Sequence, residues 1–317
     1  MGIYVIIFHM NYIVFDLEWN QPEGLDSKLR PLPFEIIEIG AVRLNDRFEL
    51  VSKFNRVIKP QVYSRLNRHI VKMLSLKPGE LENGDTFENA AGKFLEWCGD
   101  DYIFCTWGNQ DLTELQRNMN YYTMAPLSEK PFRYIDVQRL YSIMINDMQQ
   151  YALETAVDRM KIVKDVQFHR AYSDAYYTSK ILKLIPSDII EGNPAYDVYH
   201  LPASKDEEIH VSTTTGYTTY SRAFNSKEEI LEDQVLLTLW CPVCKGRALK
   251  RKINWFNHSG KNYHAAGKCP EHDYVTGLMR IRPGELGGFY AEKITSLASA
   301  HDFLKLSEQA KKVPSRK

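Results

Sequence analysis

The 317-residue chain shows no excess of charge of either sign, with 40 Lys and Arg against 40 Asp and Glu. Net charge therefore neither requires nor excludes a polyanionic partner, and local charge distribution has to decide. Long apolar runs are also missing. The opening MGIYVIIFH is far shorter than the roughly 20 residues that span a bilayer, and it lacks the basic start and cleavage pattern of a signal peptide. A cytoplasmic protein without a membrane partner is expected, and Met10 is a second possible start. Cysteines are few and odd in number: of five, three lie close together near the C-terminus, which speaks for a reducing compartment and a bound metal rather than a disulfide framework. No internal repeat is evident. With 44% hydrophobic and 25% charged residues, the chain can bury a core and has room for one large domain and a smaller one.

Residues 10–184 mix strand and helix patterns. YIVFDL, EIIEIGAVRLN and FELVSKFNRVIK read as three early strands, with NDR as a hairpin turn between the second and third. TFENAAGKFLEWC reads as a helix capped by Thr86, DYIFCTW as a strand, and a helix starts at Asp111. A short strand near FRYIDV and helices in ALETAVDRM and DAYYTSKILKL follow. This order implies an α/β fold in which helices flank a mixed sheet. Residues 185–233 are rich in breakers and charges and read as a linker, with STTTGYTTYS a small hairpin or polar loop and Ser226 opening a capping box. Residues 234–285 carry the cysteine group, and 286–317 read as an amphipathic helix with a basic tail.

Three short patterns carry chemistry. In FDLEW, Asp16 and Glu18 share one face of a strand and can grip cations together. D-x-E is nevertheless common in an acidic chain, and Asp206 with Glu208 repeats the spacing in the linker. In WGNQDLTEL, Asp111 begins a helix, and Asp111 with Glu114 also fits an N-capping pattern. In HRAYSDA, His169 precedes Asp174 by five residues, a spacing no other histidine of the chain shares.

Taken together and in this order, the three motifs resemble the DEDDh branch of the DnaQ-like 3′→5′ exonucleases, which have an RNase H-like fold. The resemblance covers about Tyr12 to Leu184, and YALETAVDRMKI is similar to the family's helix ahead of the histidine. Arg170 stands where the companion branch has tyrosine, which favours the histidine form. The resemblance implies that Asp16, Glu18, Asp111 and Asp174 hold two Mg²⁺ or Mn²⁺ ions, and that His169 is the general base. Hard cations suit carboxylate oxygen, and an unperturbed imidazole, with a pKa of about 6.5, can take a proton near neutral pH. One departure is Trp19, where many relatives have a small residue; it either stacks on a terminal base or packs at the sheet edge.

Near the C-terminus, Cys241 and Cys244 form C-x-x-C, and after 24 residues Cys269 and His272 form C-x-x-H. Two such knuckles supply the four ligands of a structural, zinc-ribbon-like Zn²⁺ site, with His258 and His264 as rival fourth ligands. WCPVC alone also fits a dithiol redox motif, but no strand-helix-strand pattern follows it. Cys98 and Cys105 read as core residues. From Lys245 to Lys268 the chain carries seven basic residues and no acid, with Trp255, Phe256 and Tyr263 interleaved. Lys250, Arg251, Lys252 and Trp255, together with Trp19, are therefore candidate contacts for single-stranded RNA or DNA. The bland alternative is a solvated ribbon whose aromatics pack inward. The sequence thus points to a metal-dependent 3′→5′ exonuclease, with a non-catalytic nucleic-acid-binding module as the alternative.

Overall fold

The computed structural model describes residues 10–22, 32–63, 65–147, 149–244, 248–257 and 262–313. Residues 1–9, Lys245, Arg247, His258, Lys261 and the end of the basic tail lie outside them. The chain forms two compact units: one takes in residues up to 127, 133–191 and 195–197, the other 128–132, 192–194 and everything from 198.

The first unit contains strands β1 (Asn11–Asn20), β2 (Glu35–Leu44), β3 (Leu50–Val57), β4 (Tyr102–Thr106), β5 (Phe132–Asp136) and β6 (Ala195–Asp197), in the sheet order β3-β2-β1-β4-β5-β6. Its helices are α1 (Arg68–Met73), α2 (Phe87–Cys98), α3 (Gln110–Tyr121), α4 (Val137–Met144), α5 (Leu153–Arg159), α6 (Ala171–Leu184) and α7 (Ser187–Gly192). β1 and β2 are antiparallel, as are β2 and β3, whereas β1, β4 and β5 run parallel. This is the mixed, helix-flanked sheet expected of an RNase H-like fold. β1 is apolar on both faces because both are covered: Phe15 meets Phe94 and Phe104, with ring centroids 5.6 and 5.0 Å away, while Val14 joins Tyr141, Tyr177 and Ile181 on the other side. The hairpin at NDR forms because Asn45 Oδ1 accepts from the N–H groups of Arg47 and Glu49, each at 2.9 Å. Thr86 caps α2 by accepting from the Asn89 N–H at 3.3 Å.

The second unit contains β7 (Ile209–Thr213), β8 (Gly216–Tyr220), β9 (Leu239–Trp240), β10 (Ala248–Leu249), β11 (Arg251–Asn257), β12 (Asn262–Cys269), β13 (Asp273–Pro283) and β14 (Phe289–Leu297). Helices α8 (Lys227–Glu232), α9 (Gln234–Leu237) and α10 (Ala300–Lys311) complete it. Six strands form an antiparallel sheet in the order β11-β12-β13-β14-β8-β7, and β9 pairs with β10.

Four sequence expectations need correction here. Residues 185–233 are not a plain linker, because β7 and β8 form the hairpin alternative and β8 pairs with β14. Polar threonines hid these strands, yet Thr218 and Thr219 are buried in the sheet. Nor is 286–317 one helix. Ala291, Lys293 and Thr295 alternate inward along β14, and a lysine at the inner face breaks the apolar period that marks a strand. Lys293 is tolerated there because its ammonium donates to the carbonyls of Leu236 and Thr238, both at 3.0 Å. The helix itself begins at α10, where Ser299 and Asp302 form a capping box. Because β13 pairs with β14, and β14 with β8, the strands of 234–285 continue into a sheet that extends beyond both proposed boundaries. At Ser226 only half of the expected box forms: Ser226 accepts from the Glu229 N–H, but the Glu229 carboxylate accepts from Asn225.

Candidate active site and metal centres

β1 delivers Asp16 and Glu18 to the face covered by α6, directly across from Gly40 and Glu38 of β2. A glycine at position 40 lets the first turn of α6 lie on the strand, since any Cβ there would overlap the backbone of Ala171 and Tyr172. Asp174, in that first turn, is thereby brought to the two β1 carboxylates. Asp16, Glu18 and Asp174 each offer an oxygen within 4.8 Å of the others. Asp111 is not a helix cap. The N-cap of α3 is Asn109, and Asp111 Oδ1 instead accepts from the Leu17 N–H at 3.1 Å, fastening α3 to β1 between the two β1 acids. His169, one residue before the N-cap of α6, donates its backbone N–H to Asp174 Oδ1 at 3.3 Å. All five residues line one cavity of about 270 Å³.

Placing this many carboxylates together raises their proton affinity. Burial, then Asp111 and Glu18, push the Asp16 carboxyl well up. Burial followed by the charges of Asp174 and Glu38 pushes Glu18 up to about 9. Burial takes Asp111 to about 7 against the opposing pull of the Leu17 N–H, and it takes Asp174 to about 6 against the His169 N–H. Such a cluster is costly with its charges uncompensated, and its all-oxygen donor set suits hard divalent cations.

The cavity walls include groups that the motifs did not reveal. Trp107 closes one side, its indole N–H donating to the Tyr151 carbonyl at 2.9 Å. Ile70 and Met73 of α1 and Leu153 of α5 supply apolar surface. Trp107 sits inside the quoted second motif and carried a signal. α1 is a six-residue helix whose pattern is too short to stand out. Trp19 follows a register shift in β1, packs on Phe34 with centroids 5.4 Å apart, and also lines the cavity. Both readings of this residue therefore have a geometric counterpart.

In the second unit, Cys241 and Cys244 follow β9, while Cys269 ends β12 and His272 lies in the turn before β13. Their donor atoms all lie within 4.8 Å of one another. Cys244 Sγ is 3.6 Å from Cys269 Sγ and 3.2 Å from His272 Nδ1, and Cys241 and Cys269 Sγ are each 3.7 Å from that nitrogen. A tetrahedron built from ordinary Zn–S and Zn–N bonds has edges of about 3.5 to 3.8 Å, so the donor set fits zinc. His264 stands apart in β12, its ring 6.0 Å from that of Phe256. Cys98 and Cys105 are buried core residues.

The proposed nucleic-acid residues divide. Lys250 and Lys252 are exposed. Trp255 is not an exposed stacking face: it packs beside Leu239, Met279 and Val275, and its indole N–H donates to the Leu237 carbonyl at 2.8 Å. Arg251 Nη1 donates to the same carbonyl at 3.3 Å. Both side chains are thus recruited to hold the end of α9, a role the basic composition concealed.

A family model described as RNase_T, Exonuclease, matches residues 13–182. Among solved structures, the nuclease domain of 3'hExo, a DEDDh family member bound to rAMP, is similar at 18% identity and a TM-score of 0.51, covering 60% of this chain and 98% of that one. A full-length 3'-exonuclease is similar at 18% identity and a TM-score of 0.50, covering 58% and 84%. At these identities the likeness is one of fold. No curated protein matches.

Proposed function

The chain belongs to the exonuclease family, and from that premise we propose that it removes nucleotides from the 3′ ends of single-stranded RNA or DNA by two-metal-ion hydrolysis. The observation that carries this reading is the convergence of Asp16, Glu18 and Asp174, with Asp111 and His169 beside them, on one cavity. The four acids would hold two Mg²⁺ or Mn²⁺ ions. Bound there, divalent ions lower the cost of making a nucleophile from water and stabilise charge on the attacking and leaving oxygens.

His169 takes the proton from the attacking water, and its exposed position on the cavity rim gives that proton a path to solvent. Trp19, Ile70 and Met73 give the terminal nucleotide an apolar seat, and Trp107 lines the same cavity. Exposed Lys250 and Lys252 serve as polymer contacts. Cys241, Cys244, Cys269 and His272 would hold a Zn²⁺ that ties the segment after β9 to the turn before β13, in keeping with a reducing, cytoplasmic setting. Among the described residues no helix is long and apolar enough to cross a membrane.

The test is a time course on 5′-labelled single-stranded RNA and DNA of one sequence with Mg²⁺ or Mn²⁺, beside Asp16→Ala. A ladder shortening from the 3′ end, absent in the variant, is expected. Retention of both polymers without cleavage would transfer the site to a binding module.

A further inference from the structure

His169 is exposed and has a left-handed backbone, φ +63°, so burial does not hold its ring in place. Its neighbours do the holding. Phe168 stacks on Tyr177 with centroids 4.3 Å apart and planes 14° from parallel. The Tyr177 hydroxyl donates to the Val166 carbonyl at 2.7 Å and accepts from the Val166 N–H at 2.9 Å. On the other side, Arg170 Nε donates to Glu38 Oε2 at 2.8 Å, and Nη2 donates to Glu38 Oε1 at 3.3 Å. Nη2 also reaches Glu80 Oε1 at 2.8 Å. Glu80 is itself fixed, since its Oε2 accepts from the Lys77 N–H at 3.0 Å.

Glu38 is only 2% exposed and stands across the sheet from Glu18. With a fork on both oxygens it serves as a counter-ion to Arg170, although it lies beside the metal-binding acids. Arg170 thus brings a fixed positive charge to Glu38, next to the four acids that would hold the cations. Lysine could supply the charge but not the two-pronged geometry.

We propose that Arg170 is a positioning residue: clamped between Glu38 and Glu80, it fixes the backbone that carries His169 over the reacting atoms. This rests on the reading of the cavity as a two-metal nuclease site. Arg170 touches no reacting atom in this scheme and acts through His169.

The test is a double-mutant cycle of Arg170→Gln with His169→Ala, with kcat and KM measured separately. Arg170→Gln is expected to lower kcat by about 10- to 100-fold, with KM within about threefold, because a misplaced base loses orientation rather than binding. Adding Arg170→Gln to His169→Ala should then cost less than about threefold, because no base is left to position, although His169→Ala alone costs about 10²-fold or more. Arg170→Lys should recover only part of kcat. Additive losses, or a kcat within twofold of wild type in Arg170→Gln, would overturn the assignment.

Hydrogen exchange of metal-free protein supplies a readout apart from activity. Residues 165–170 should exchange faster in Arg170→Gln and in the milder Glu80→Gln, with the β1 and β2 amides unchanged. Unaltered exchange in both variants overturns the clamp even in a protein without activity. Conversely, faster exchange in both variants of a protein whose wild type shows no nuclease activity leaves the clamp standing but removes the nuclease reading, and with it the positioning role. Glu80→Gln keeps both measurements open if Arg170→Gln fails to fold.

Discussion

Gly40 faces Asp16 across the sheet, and the backbone of Tyr172 occupies the space where a side chain on residue 40 would begin. That contact sets how far Asp174 stands from the β1 carboxylates. Gly40→Ala must push α6 away, because the obstacle is backbone rather than a yielding side chain. We expect a loss of about 1 to 3 kcal/mol in stability. A shift of about 1 Å in Asp174 should add a kcat loss on the order of 10²-fold. Urea unfolding and turnover measured side by side check both. Wild-type activity would mean that α6 does not set the spacing of the acids.

The raised carboxyls make a pH prediction for protein dialysed free of Mg²⁺ and Mn²⁺. Folded Asp174, Asp111 and Glu18 titrate at about 6, 7 and 9, against ordinary values of 3.8 for Asp and 4.5 for Glu. The folded state therefore binds more protons than the unfolded state between pH 4 and pH 9, and its stability falls as pH rises through that window. The melting temperature of the first unit should therefore fall between pH 5 and pH 9. Millimolar Mn²⁺ should restore it, and restore more at pH 8 than at pH 5, since cations compete with protons for the same oxygens. Calorimetry at several pH values decides. A flat profile would mean that water or rearrangement already relieves the cluster.

The features legible in the sequence are those whose physics is local. The apolar run into Asp16 and Glu18, the Asn45 turn and the Thr86 cap need few distant partners, and each forms where expected. The local pattern at Asp111 did not decide between a cap and the metal-holding acid that the family resemblance implied, because a helix-start acid that accepts from its own helix looks the same as one that accepts from Leu17, 94 residues away. Nor was β14, whose inward residues include a lysine made tolerable only by carbonyls from another element. Arg170 stood out as a departure from the tyrosine branch, yet its partners Glu38 and Glu80 become neighbours only when α6 meets β2. Tertiary contact, rather than propensity, settles each of these cases.

Purified protein should carry about one tightly held zinc per chain by elemental analysis, through Cys241, Cys244, Cys269 and His272. Cys241→Ser should lower that content to near zero and destabilise the second unit by several kcal/mol, since metal affinity is converted into folding free energy when the ligands come from distant turns. The β9–β10 loop and the β12–β13 turn have the cluster as their tie, so proteolysis should begin there in the variant. Zinc-free protein with unchanged proteolytic resistance would assign the cysteines a role other than a structural tie.

The basic segment separates into residues that hold the fold and residues free to contact polymer, and two variants distinguish them. Trp255 fills space beside Gly277, where a Cβ would come within 2.8 Å of the ring. Trp255→Ala should therefore cost about 2 to 4 kcal/mol, somewhat under the full-core value because the ring is half-buried. The paired change Lys250→Glu and Lys252→Glu alters only exposed side chains, so stability should stay within about 0.5 kcal/mol. If those lysines contact phosphates, the slope of log affinity for single-stranded RNA against log salt should flatten by about 1.4, the value for two lost contacts. Filter binding of an inactive Asp16→Ala protein at several salt concentrations measures it. An unchanged slope would remove these lysines from the polymer path and leave the basic run as a solvated surface over a packed sheet.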